Sequence, residues 1–177
     1  MKHFWIAAVA LAPIAACSGS DTNTDTTTST GSAGAGCVEF ASAKTNVSFK
    51  KDVVPVFQLS CNFSSCHSSE SSSPQENLAL GAPNGSAMTD EDIKAVHDAI
   101  VSGTSERSSL SMVEPGAPEK SWLLAKIAYS SFGACEAIKS TCAPEGCGTR
   151  MPLNSPALDP AAVDAIAGWI KEGALNN

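Results

Sequence analysis

Aromatic residues are scarce in this sequence: six phenylalanines, three tryptophans and one tyrosine in 177 residues. A small domain with so little bulky apolar surface gains from any added hydrophobic group. Charge is sparse as well, at 16% of residues, and it tilts to −7 with no run of lysine or arginine. That lack excludes the basic stripe that nucleic acid requires, and it gives the protein no charge-based hold on an anionic bilayer. A partner steered by charge would have to present a basic docking face. Neither a nucleophile elbow nor a phosphate-cradling glycine loop occurs. Histidines number three, and once a leader containing His3 is removed, only His67 and His97 remain to serve a hydrolase as base. The one long apolar run, Phe4 to Ile14, is too short to span a bilayer as a helix.

What is there begins with that run. Lys2 and His3 precede it and Ile14-Ala15-Ala16-Cys17 ends it, which makes residues 1–16 a secretory signal. Small residues before a cysteine look like a bacterial lipobox, in which Cys17 receives a diacylglycerol and becomes the membrane anchor; the plainer alternative is an ordinary signal cleaved near Ala16. From Cys17 to Gly36 the chain is nearly all Ser, Thr, Gly, Ala, Asn and Asp. Such a segment cannot bury enough surface to offset its ordering entropy. Residues 17–47 are therefore expected to be a disordered tether and lead-in, followed by one domain over 48–177. The expected location is the cell envelope, lipid-anchored, on the periplasmic side or at the outer membrane.

Seven cysteines in an exported chain need partners. With Cys17 assigned to lipid and Cys61 and Cys66 to the motif below, Cys37, Cys135, Cys142 and Cys147 remain. Two disulfides are the default for these four, with Cys142 or Cys135 near Cys147; a four-thiolate zinc site is the sharper alternative. Sequence leaves the pairing open, since four cysteines allow three connectivities.

The folded part reads as helices joined by long polar loops. Ser48 is placed to cap a helix carrying Val53, Val54 and Phe57 and delivering Cys61, with Pro55 near its first turn. Thr89 and Asp92 form a capping-box pattern ahead of Ile93, Val96, Ile100 and Val101, which repeat at helical spacing until Gly103. Pro118 and Ser121 open a shorter helix through Trp122 to Ile127. Asp159 and Pro160 start a last one, striped by Val163, Ile166, Trp169 and Ile170 and stopped at Gly173. No run of alternating residues suggests a sheet, so an all-α fold is expected.

The chemistry concentrates in Cys61-Asn62-Phe63-Ser64-Ser65-Cys66-His67. Two thiols able to form thioethers with porphyrin vinyl groups, and an imidazole directly after the second to ligate iron, are what covalent attachment of a c-type haem needs. Four residues intervene between the thiols where two are usual. A small Cys61–Cys66 disulfide loop beside a solvated His67 would have the same sequence.

Two stretches carry a resemblance. Residues Ser48-Phe49-Lys50-Lys51-Asp52-Val53-Val54-Pro55-Val56-Phe57 lead into Cys61 and Cys66-His67, and Arg150-Met151-Pro152-Leu153 leads into Trp169-Ile170-Lys171-Glu172-Gly173-Ala174. In this order and spacing the chain resembles the mono-haem, class I-like c-type cytochrome domains of exported bacterial proteins. The resemblance implies a small cytochrome c-like helical domain in which a helix leads into the haem-binding cysteines, a Met-Pro loop supplies the sixth ligand and a tryptophan-bearing C-terminal helix crosses the first. One haem c would be attached through Cys61 and Cys66, its iron held by His67 and by the Met151 thioether. His97 is the alternative sixth ligand, followed by Met88 and Met112. The implied function is one-electron transfer to a redox partner protein, without catalysis. Two other readings stay open: a haem-free, disulfide-braced surface lipoprotein acting as an interaction module, and a haem sensor or enzyme with an open sixth site.

Overall fold

The structure, a computed structural model, describes residues 37–40, 43–83, 85–129 and 135–177. The leader, Cys17 and most of the tether lie outside the described residues.

Ser48 starts the first helix as its side chain predicts, accepting from the Lys51 amide. Residues Phe49–Val53 wind as a π-helical turn in which the Val54 amide reaches back to the Phe49 carbonyl; α1 (Val54–Ser60) follows, with Pro55 in its first turn, where proline's fixed φ suits a helix. Helix α2 (Asp90–Val101) opens on the reciprocal Thr89/Asp92 capping box. A 3₁₀ turn at Pro118–Lys120 leads into α3 (Trp122–Ala128), one short turn forms α4 (Glu136–Lys139), and α5 (Pro160–Lys171) starts at Asp159, whose carboxylate accepts from the Ala161 amide.

The all-α expectation is overturned. Strands β1 (Thr104–Ser105) and β2 (Ser108–Ser111) pair antiparallel, Thr104 opposite Ser111 and Ser105 opposite Ser108, with a break in register between Thr104 and Ser105. Ser108 also bridges to Cys142, and the Ser109 amide donates to the Thr141 carbonyl. The fold is mixed. The hairpin escapes hydrophobic patterning because Leu110 is the one apolar residue in its two short strands, so the alternation that marks a half-buried strand is missing. Tertiary pairing with residues 141–143 and the Ser108–Thr141 hydroxyl contact at 2.9 Å supply the order instead.

One core joins these elements. Phe49, Val53, Phe57, Ile100, Leu124, Ile166, Trp169 and Ile170 are fully buried within it. Helix α5 meets the first helical turn through Phe49 and Trp169, whose rings lie 4.8 Å apart. Gly168 makes this approach close, because a Cβ there would collide with the Lys44 carbonyl. Ala43 and Val47 are buried, and Glu172 accepts from the amides of Asn46 (2.6 Å) and Val47 (3.0 Å). Residues 43–47, expected as part of the disordered tether and lead-in, thus pack against the folded body. Two disulfides complete it, Cys37–Cys135 across 98 residues and Cys142–Cys147 across 5. All four spare cysteines are used, so they form no thiolate zinc site.

Candidate functional site

Helix α1 ends where Cys61 caps it, its amide donating to the Phe57 carbonyl. The Cys61–His67 loop then closes on itself: the His67 amide donates to the Cys61 carbonyl at 3.2 Å and the Cys66 amide to Phe63 at 2.8 Å. Cys61 and Cys66 are free thiols, unlike the four cysteines that pair. Burial, reinforced by the nearby Cys66, pushes the Cys61 thiol up to about 12, so it is held neutral.

The His67 ring is held from one side. Its Nδ1 lies 2.8 Å from the Leu78 carbonyl oxygen, which can only accept, so Nδ1 carries the proton and Nε2 is the ring nitrogen available to a ligand. Segment 78–82 is itself laced to the motif. The Leu80 amide donates to the His67 carbonyl (2.7 Å) and the Ser69 amide to Gly81 (2.8 Å). From within the loop, the wholly buried Asn62 donates through Nδ2 to the carbonyls of Leu80 (2.8 Å) and Ala82 (3.1 Å), while its Oδ1 is buried without a partner. An orphaned buried acceptor costs about 1–3 kcal/mol. Gly81 is needed where it stands: its φ is +111°, and a Cβ would press on the Met88 side chain. Leu78 also lines a cavity of about 300 Å³, together with Met112, Ala99 and Gly103.

Met151 comes from a different part of the chain. It is half-buried against the core, and its amide donates to the Lys126 carbonyl at 2.8 Å. From α3 the same lysine sends its ammonium to the carbonyls of Cys147 and Thr149, with its charge 5.4 Å from the Trp122 ring centre. Burial lowers the Lys126 pKa, against the opposing charge of Glu76 and helped by Arg107. Those two charges connect the loops. Glu76, in the turn between His67 and Leu78, pairs with Arg107 of the hairpin at 3.5 Å, and the Arg107 carbonyl accepts from Ala143, next to the Cys142–Cys147 disulfide. A continuous framework therefore runs from the 78–82 segment that holds His67 to the Met151 loop.

His97 is placed elsewhere. On α2 it packs edge-on against Phe49 (5.3 Å) and Trp169 (6.0 Å), with Nε2 2.7 Å from the Ala174 carbonyl and Nδ1 3.2 Å from Asp98. Nε2 ties α2 to the C-terminal segment and Nδ1 faces Asp98 of the same helix, so in this arrangement both nitrogens of His97, the alternative sixth ligand, are engaged within the protein. Met88 leans on Gly81 beside Asn62, and Met112 is buried at the end of the hairpin.

Sequence reasoning did not find Asn62, Leu78, Gly81 or Lys126. Leu78 and Lys126 act through backbone carbonyls or tertiary bonds that leave no sequence pattern; Asn62 sits in a polar loop, where an inward turn has no signature. Among the described residues no three His, Cys, Asp or Glu side chains converge as a metal-ion site, and no helix is long and apolar enough to cross a membrane. No protein family, curated protein or solved structure matches the chain.

Proposed function

We propose that this chain is an exported one-electron carrier, anchored through a lipid on Cys17 and holding one covalently attached c-type haem. The observation that carries the reading is the contrast at the motif. Four cysteines are oxidised in pairs, yet Cys61 and Cys66 remain free thiols beside a histidine whose Nδ1 is already bonded to the Leu78 carbonyl. On donor chemistry these residues fit a haem c: two thiols for thioether bonds, a single-tautomer imidazole and, on the braced loop, the Met151 thioether. The crossing of α5 on the first helix through Phe49 and Trp169 supports it further.

When bound, the haem supplies the redox-active iron. The chain's part is to hold and tune it. Leu78 keeps His67 in one tautomer and one orientation, and the buried core beside the motif lowers the local dielectric. Lys126 fixes the backbone of the Met151 loop, so that loop reorganisation accompanying electron transfer stays small. With an acidic chain, the redox partner fitted to it presents a basic face.

Visible absorption of purified protein tests this reading. Sharp reduced-state bands that survive acid-acetone extraction are expected; a colourless protein would replace it with a haem-free, disulfide-braced interaction module, and colour lost to the solvent would show a haem held without the Cys61 and Cys66 thioethers.

A further inference from the structure

We propose that Asn62 is a positioning residue for His67, and that the four-residue spacing between Cys61 and Cys66 accommodates its inward turn. The inference rests on the haem reading above and deepens it. Of the four residues between the cysteines, Phe63, Ser64 and Ser65 face solvent, whereas Asn62 is completely buried. Its two amide hydrogens are both spent on one target, the strand-like segment 78–82, at Leu80 and Ala82. That segment holds His67 twice, by the Leu78 carbonyl on Nδ1 and by the Leu80 amide on the His67 carbonyl.

Asn62 therefore pins the element that orients the ring without touching the ring. The amide cannot be turned round to relieve its orphaned Oδ1, because both neighbours at Nδ2 are carbonyl oxygens and accept only. A buried group retained with one acceptor unpaired is stabilising the arrangement through its donors. A loop with two residues between the cysteines closes more tightly; four give the chain room to present three residues to water and turn one inward. Leu80 and Ala82 answer it from the other side, and between them stands Gly81, where an added Cβ would strike Met88.

The test uses the full mature protein with Asn62→Ala and Asn62→Asp, read by nitrogen-15 NMR of the His67 ring in the reduced state and by redox titration. Expected are an Asn62→Ala protein with haem still attached, a His67 Nδ1 proton that exchanges with solvent measurably faster than in the wild type, and a changed reduction potential. Asn62→Asp loses the donors while keeping the shape, so it should behave the same way. Attached haem with wild-type exchange and wild-type potential in both variants would overturn the proposal. If neither variant folds, the wild type decides alone: the Asn62 side-chain amide protons must exchange far more slowly than those of exposed asparagines such as Asn176, and equal rates refute the pin. A wild type without haem would fail the functional reading instead, and the same two proton signals, measured in that haem-free chain, would still judge the role of Asn62.

Discussion

The amide of Met151 donates to the carbonyl of Lys126 at 2.8 Å, and the ammonium of that same lysine holds the carbonyls of Cys147 and Thr149. One residue of α3 thus fixes the loop before Met151 at three points. Replacing Met151 with alanine should leave haem attached while abolishing the near-infrared sulfur-to-iron band, lowering the potential and admitting carbon monoxide. Lys126→Met keeps the stem but removes the charged donors. It should destabilise the protein by about 1–3 kcal/mol in denaturant titration and weaken that band without removing it. An unchanged spectrum in Met151→Ala would make Met151 a packing residue.

Gly168 sits where α5 passes the Lys44 carbonyl, with Val47 beside it. Gly168→Ala should lower stability by about 1–3 kcal/mol through overpacking, seen as a lower thermal midpoint, even though alanine is the better helix former by about 1 kcal/mol. A rise in the midpoint would mean that the lead-in segment moves aside freely.

Glu172 accepts from the Asn46 and Val47 amides, and those bonds hold its carboxyl below the usual value of 4.5. Asp52 is depressed likewise, by Lys44 and by the Ser48 amide. A carboxylate whose folded pKa is depressed stabilises the protein above its unfolded value, and that contribution is lost as pH falls through the folded one. Stability should therefore be level near neutrality and decline as pH drops below about 4.5. Glu172→Gln should melt lower than wild type at pH 7, with the gap narrowing in acid; a gap independent of pH would show that these bonds need no charge.

What the sequence made legible was local. Ser48, the Thr89/Asp92 pair and Asp159-Pro160 mark helix starts because a cap needs only residues within one turn. The Cys61–His67 motif was legible for the same reason, being contiguous. Long-range order was not. The hairpin hid in a serine run, the Cys37–Cys135 bond spans 98 residues, and the Leu78 carbonyl and Lys126 ammonium meet their partners only through the fold. His97 had the right chemistry for iron, but Phe49, Trp169 and Ala174 claim it, and no spacing rule foretells that.

Mass spectrometry of the mature protein, alkylated without reductant and digested, tests the central claim most directly. The account predicts one peptide spanning Cys61 to His67 that carries a single haem on both cysteines, with Cys37–Cys135 and Cys142–Cys147 recovered as disulfide-linked pairs. Recovery of that peptide from fully matured protein without haem, as two alkylated thiols or as a Cys61–Cys66 disulfide, would contradict it.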